Sequence, residues 1–537
     1  MPTAARPPLD PRTAQVLRVL VVATFIVILN ETIMVNALPV LMESLAIDAR
    51  AAQWMSTGFM LTMAVVIPTT GWFLQRVGRR TAFVVAMSSF CVGTLLAAWA
   101  PTFETLLMAR VVQACGTAVM MPLLMSSVLA LVPEHSRGSV MGNVALAISV
   151  APAMGPTISG LILGFASWRW LFGLVLPVAA LIGVVGARML RAVPATSAPH
   201  PDDAREFSEH DNAASSPADV EPARAHGTPD LASVVLTAVG FGGLVYGLSH
   251  LGGESGAAVG PLGMPVIALL VGASGVALFA WRQVRLSARS TPLLDLRVLT
   301  VGRYRLSVAV VALSFMGLMG AMIMLPLYFQ EVRGMSTLQA GLMLMPGGLT
   351  MGLLGPLVGR LYDRIGPAPL VIPAAIVLAL GLGSLSWAAT HGPWWWFLGL
   401  HIAMSVALAF IFTPVFTAGL SALPPGLYEH GSALLGTLQQ VAAAAGTALV
   451  ITVMSVRAGA LAAAGGAPTA ALGGGVQHGL GVAALLAAVV ATLSFVVPAF
   501  PPRPRTGLVV LTPGAAGPQG WAHQGRRGST FLDTIPS

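Results

Sequence analysis

Two ionisable side chains interrupt stretches of this chain that are otherwise apolar. Glu31 lies in Leu29-Asn30-Glu31-Thr32-Ile33, and Arg110 in Leu107-Met108-Ala109-Arg110-Val111-Val112-Gln113. A charge in hydrocarbon costs about 3 kcal/mol on insertion scales and over ~10 in other treatments, so it persists where it has a partner or a task. An acid in such a place feels two opposed influences, burial and a neighbouring cation, and access to water then decides whether it holds a proton. Glu31 lies ~21 Å along a helix entering near residue 17, and Arg110 ~10 Å along one descending from the opposite face, so in a core ~30 Å thick their depths coincide. The expected chemistry is proton transfer through a Glu31–Arg110 pair or a water-linked relay.

The elements that must position this pair are membrane helices. The 537 residues are 56% hydrophobic and 9% charged, with 59 glycines and 39 prolines, against about 25% charged residues in a soluble domain. The net charge of +8 is carried by arginine alone, because the chain has no lysine. That excludes a P-loop, which needs its Lys, and Schiff-base catalysis. The spans carry no Ser/His/Asp, metal or phosphate constellation, so neither an enzyme nor a cofactor nor a metal site is expected. Cys91 and Cys115 sit inside apolar spans and read as small core residues. No cleavable signal peptide is expected.

Hydropathy predicts fourteen spans, at 16–41, 52–74, 80–100, 103–127, 138–164, 169–190, 231–251, 262–284, 305–329, 336–361, 367–389, 394–420, 430–456 and 476–499. With both termini cytoplasmic, only Arg50, Arg169, Arg333 and Arg457 of the 28 arginines fall outside, with Arg110 inside a span. Trp54, Trp99, Trp168, Trp170, Trp387 and Trp394–Trp396 collect near the predicted outer interface. The basic excess therefore suits topology and anionic lipid rather than nucleic acid. The expected organisation is a first six-helix bundle in 1–190, an acidic disordered linker in 191–230, two inserted helices in 231–284, a second bundle in 285–500 and a disordered tail in 501–537.

An internal repeat supports two related halves. Gly71, Gln75, Arg76 and Gly78, followed by Arg79 and Arg80, map onto Gly359, Asp363, Arg364 and Gly366 at a constant offset of 288. The glycines permit tight turns and close helix approach, and the arginines anchor one membrane face. The acid at Asp363 has the chemistry to cap a helix or meet an arginine; the first copy has Gln75 there. In the fifth span Ala147, Ala151, Gly155 and Ser159 form a small-residue ridge, while Pro152 and Pro156 bend the helix ahead of Gly160, a pattern that by itself suits ordinary close packing as well as a gate.

Together these segments resemble the major facilitator superfamily, and within it the 14-spanner drug:proton antiporters of the EmrB/QacA type. Gly71–Arg80 is similar to that family's loop signature, Arg110–Gly116 to its fourth-helix motif and Gly142–Gly160 to its fifth-helix antiporter motif. Asn30-Glu31-Thr32-Ile33-Met34-Val35-Asn36-Ala37-Leu38-Pro39 resembles its first-helix motif, with Asn30 where that motif has Asp and Glu31 one position later. The resemblance implies an all-α fold and proton-coupled efflux of hydrophobic or cationic drugs by a monomer in the bacterial cytoplasmic membrane. Glu31 and Arg110 would couple the proton. Asn36, Gln113, Asn143, Met316, Met319, Gln439 and Gln440 are the expected substrate contacts, in a cavity that methionines make adaptable. A dedicated exporter of one antibiotic or metabolite fits the same residues. A receptor or scaffold would have no use for the repeat or the deep pair.

Overall fold

The computed structural model describes residues 10–47, 49–191, 230–251, 263–287 and 292–495. Residues 192–229 of the expected linker, the expected tail and the N-terminal nine residues lie outside that set. Fifteen α-helices occur among the described residues. The first seven are α1 (Pro11–Ile33), α2 (Leu38–Leu45), α3 (Ala49–Val66), α4 (Thr70–Ala98), α5 (Phe103–Leu131), α6 (Arg137–Leu163) and α7 (Arg169–Met189). Then follow α8 (Leu231–Leu251), α9 (Met264–Ser287), α10 (Gly302–Leu327), α11 (Thr337–Ile365), α12 (Ala368–His391), α13 (Trp394–Ser421), α14 (Tyr428–Ala463) and α15 (Pro468–Ser494).

Among the described residues twelve stretches, not the fourteen expected, are long and apolar enough to cross a membrane. Residues 52–74 and 80–100, expected as separate spans, fall within one stretch, Trp54–Ala98. A short 3-10 turn at Ile67–Thr69 joins α3 to α4, so hydrogen bonding barely lapses between them. The 27-residue α6, expected as the fifth span, is not among the twelve.

Local sequence explains where the helices begin and turn. Thr102 and Thr105 cap the start of α5 reciprocally, and Ser336 and Gln339 do the same for α11, which satisfies donors that no helix bond reaches. Gly78 (φ 73°, ψ 163°) bends α4, and Gly366 (φ 78°, ψ −176°) terminates α11. Only glycine takes such a left-handed extended conformation without strain. The sequence repeat is thus also a repeat of backbone geometry.

Helices α1, α4, α5 and α7 pack among themselves, with α1 also against α6, whereas α6 packs most extensively on α11. Helices α10 to α15 likewise pack among themselves, with α10 against α13, α14 and α15. The contacts that join these two sets run chiefly through α6 on α11 and through α14 on α3, α4 and α5. Helices α8 and α9 pack on each other through glycines: a methyl added at Gly240 would reach the Val276 amide, and one at Gly243 the Ala268 carbonyl. Those glycines are what lets the pair approach backbone to backbone.

Candidate functional site

Arg110 lies within α5 and is 2% exposed. Its Nη1 donates to Asn30 Oδ1 at 3.3 Å and to Gln113 Oε1 at 3.1 Å. Its guanidinium carbon stands 4.1 Å from the centroid of the Phe59 ring. Gln113 Nε2 donates onward to Thr94 Oγ1 at 2.8 Å, and the Thr94 hydroxyl donates to the Phe90 carbonyl at 2.6 Å. Gly93 makes this possible, because a Cβ there would sit 2.6 Å from the Gln113 amide nitrogen and 2.7 Å from the Ala109 carbonyl. Helix α4 therefore lies close against α5 at the level of the arginine.

The expected direct Glu31–Arg110 pair is not formed. Asn30 occupies the arginine instead, and Glu31, about 100° further round the helix, is only partly buried. The buried cation is held by neutral oxygens and an aromatic face. Hydrogen bonds to a charged group contribute about 1.5–3 kcal/mol each, and a desolvated cation–π contact about 2. Such a cage keeps a guanidinium in place without neutralising it, and leaves the acid's protonation to its surroundings.

The small-residue face of α6 meets α1 beside this site. Thr32 Oγ1 donates to the Ala151 carbonyl at 3.4 Å, and Gly155 packs on Thr32. Pro152 lies within the continuous helix, and Gly160 faces open space. Further along, Gly138 and Gly142 of α6 meet Gly359 and Gly355 of α11 backbone to backbone.

The two loop copies dock on different helices by equivalent contacts. Asp363 Oδ1 and Oδ2 accept from the Gly138 and Ser139 amides at 2.8 and 2.7 Å, capping the start of α6. Gln75 Nε2 donates to the Gly426 carbonyl at 3.1 Å, just before α14. Adding 288 carries Gly138 onto Gly426 and Gly142 onto His430, and Gly71 packs on His430 as Gly359 packs on Gly142. Arg79 approaches Glu429 at 3.9 Å, while Arg80 Nε donates to the Ala187 carbonyl. Arg76 and Arg364 are exposed.

The expected substrate contacts divide. Gln113 is buried and committed to Arg110 and Thr94. Asn143 is exposed on α6. Met316, Met319, Gln439 and Gln440 are half-buried on α10 and α14. The side chains of Asn36 and Pro156 lie outside the described residues. Sequence reasoning passed over Asn30, Phe59 and Thr94; Asn30 could have been found from its place at the family's acidic position.

The family model described as Major Facilitator Superfamily matches residues 20–447. The chain belongs to the Major Facilitator Superfamily. It is accordingly a multi-pass membrane transporter and not an enzyme. An uncharacterized MFS-type transporter, YcnB of Bacillus subtilis strain 168, is 36% identical over 479 residues, covering 89% of this chain and 92% of that protein. The lincomycin resistance protein LmrB of Listeria monocytogenes is 36% identical over 433 residues, covering 81% and 84%. A multidrug resistance protein B homolog of Mycobacterium tuberculosis is 28% identical over 407 residues, covering 75% and 69%. The fold is similar to the human organic anion transporter MFSD10 (TM-score 0.60, 16% identity, 89% and 100% covered) and to the proton:xylose symporter XylE (TM-score 0.60, 14% identity, 90% and 96% covered).

Proposed function

We propose that this superfamily member is a proton-coupled multidrug exporter of the 14-spanner type in the bacterial cytoplasmic membrane, working as a monomer by alternating access. Its relatives named for lincomycin and multidrug resistance support the drug class. The observation that carries the coupling is the caged Arg110: a permanent buried cation beside an acid it does not bind directly. Glu31 would then take a proton from one side and release it to the other. One proton descending ~150 mV supplies roughly 3.5 kcal/mol, enough for a several-hundredfold substrate gradient.

Fourteen crossings follow if Trp54–Ala98 spans twice and α6 once. At ~1.5 Å per residue a 45-residue helix is about twice the ~30 Å core, and Gly78 supplies the bend. The end carrying Gly78 and Gly366 would face the cytoplasm, where the arginines gather. Two six-helix bundles, 1–190 and 285–500, with 231–284 inserted, would then rock about the α6–α11 and α14 contacts. Closure at that end leaves the opposite end to release substrate, with Met316, Met319, Gln439 and Gln440 as the proposed substrate contacts.

The test is drug-induced proton release from inside-out vesicles. Glu31→Gln should abolish it while the protein remains folded and still binds drug. Unchanged exchange in that variant would remove the proton assignment. A panel of unrelated drugs separates broad export from export of one lincosamide-like compound, which the LmrB relatives favour as the second reading.

A further inference from the structure

The inserted helices are tied to the closed end by a chain of polar contacts that starts part-buried and runs inward. Arg282 of α9 donates through Nε and Nη2 to Asp230 Oδ2 and Oδ1, at 2.6 and 2.9 Å, joining the end of α9 to the start of α8. The neighbouring Gln283 is fully buried. Its Nε2 donates to Ser233 Oγ at 2.7 Å. Its Oε1 accepts from the Leu293 and Leu294 amides at 2.7 and 3.1 Å. The next amide, of Asp295, donates to His430 Nδ1 at 3.3 Å.

His430 is 4% exposed and packs on Gly71 of the first loop copy. It stands in the first turn of α14, where four successive residues are each held by another element. Tyr428 Oη accepts from Arg137, Glu429 meets Arg79, His430 accepts from Asp295, and the Gly431 carbonyl accepts from Tyr304 at 2.6 Å. Helix α8 also packs directly on α3 and on α14. In the other loop copy the position of His430 is Gly142, which meets Gly359 with no side chain between them. One docking site is therefore bare backbone, and the other depends on an imidazole whose rotamer is fixed from outside.

We propose that the inserted helices act as a latch on the closed gate. Gln283 holds the strap Leu293–Asp295, and the strap holds His430 against Gly71. Gln283 and His430 are positioning residues: neither touches substrate, and both set how often the gate stands closed. The geometry requires Nδ1 of His430 to be unprotonated, since it accepts from an amide. Leucine at 283 leaves two buried amides without an acceptor. Glutamate at 283 retains it, as asparagine does at 430. Losing one such buried bond shifts a two-state equilibrium by roughly tenfold.

The inference rests on the alternating-access reading, but its test needs no substrate. Spin labels go on Pro133→Cys and Pro425→Cys, both exposed at that end, in the full chain carrying Cys91→Ala and Cys115→Ala. Pulsed electron paramagnetic resonance then reads the distance across the gate. Gln283→Leu and His430→Leu should each move the population toward longer distances by roughly tenfold, and the double variant no further, because both act through one chain of contacts. Gln283→Glu and His430→Asn should keep the parent distances. The proposal is overturned if Gln283→Leu leaves the distribution unchanged, or if Gln283→Glu shifts it as far as leucine does. Should the leucine variant fail to fold, His430→Leu against His430→Asn decides the matter in the same way. Loss of transport with parental distances would count against the latch and leave the export reading standing.

Discussion

Shifting residue numbers by 288 carries Asn30, Glu31, Phe59, Arg110 and Gln113 onto Leu318, Met319, Gly347, Leu398 and His401. The first copy buries a cation among an amide, an aromatic ring and a threonine-linked glutamine. The second fills the same register with leucine, methionine and one histidine. His401 Nε2 donates to the Leu344 carbonyl at 3.2 Å, and its ring occupies the space that Gly347 leaves where the first copy has Phe59. Two copies of one backbone plan have thus divided the work. One buries a charged side chain, and the other fills the same register with apolar side chains and a single imidazole.

The largest effect that could break this comparison is at Arg110. Arg110→Ala should reduce efflux on the order of 100-fold, because two hydrogen bonds to a charged group vanish and Asn30 and Gln113 keep unmet demands. Leu398→Ala, at the equivalent register, should leave efflux within about twofold, as a half-buried leucine offers packing alone. Equal losses in vesicle efflux assays would end the idea that the copies are functionally unlike.

A smaller effect is expected at the histidine. His401→Gln places the residue of the first copy in the second, and its amide can still donate to Leu344. Transport should be retained within about threefold, whereas His401→Ala opens a cavity beside Gly347 and costs roughly 2–3 kcal/mol. Thermal melting in detergent would separate the two, and a transport-dead glutamine variant would assign His401 a charge-dependent role.

The loop copies sharpen the contrast next. Asp363→Ala removes a carboxylate that caps α6 and should cost about 1 kcal/mol. Gln75→Ala, removing an exposed amide contact to a carbonyl, should cost under about 0.5 kcal/mol. Equal melting shifts would show that the carboxylate's extra amide contact contributes nothing.

The smallest effect is outside the membrane. Hydrogen bonds from Arg282 hold the Asp230 carboxyl down at about 2. A folded-state value below the unfolded one contributes stability above the unfolded value, and that contribution is lost as pH falls through the folded value. Asp230→Asn should therefore lower the melting temperature slightly at pH 6, with the difference from the parent shrinking below pH 4 and gone only once the pH has fallen below about 2. A difference independent of pH would mean that Asp230 acts by packing alone.

Sequence alone determined the membrane class, the repeat and the residues of its loops, because hydropathy, arginine placement and glycine spacing act through local and bulk-solvent forces. It also located Arg110, since an isolated charge in an apolar run is conspicuous without any fold. The partner of that charge was not legible: a step of one residue turns a side chain about 100°, and helix rotation is set by packing such as Gly93 on Gln113. Tertiary structure alone chose Asn30 over Glu31, and it alone brought Asp363 to α6 and His430 to Gly71 across more than 200 residues of chain. Such contacts depend on how rigid helices stack, which no local pattern encodes. The same holds for Gln283, an unremarkable amide near a helix end until the strap folds back over it.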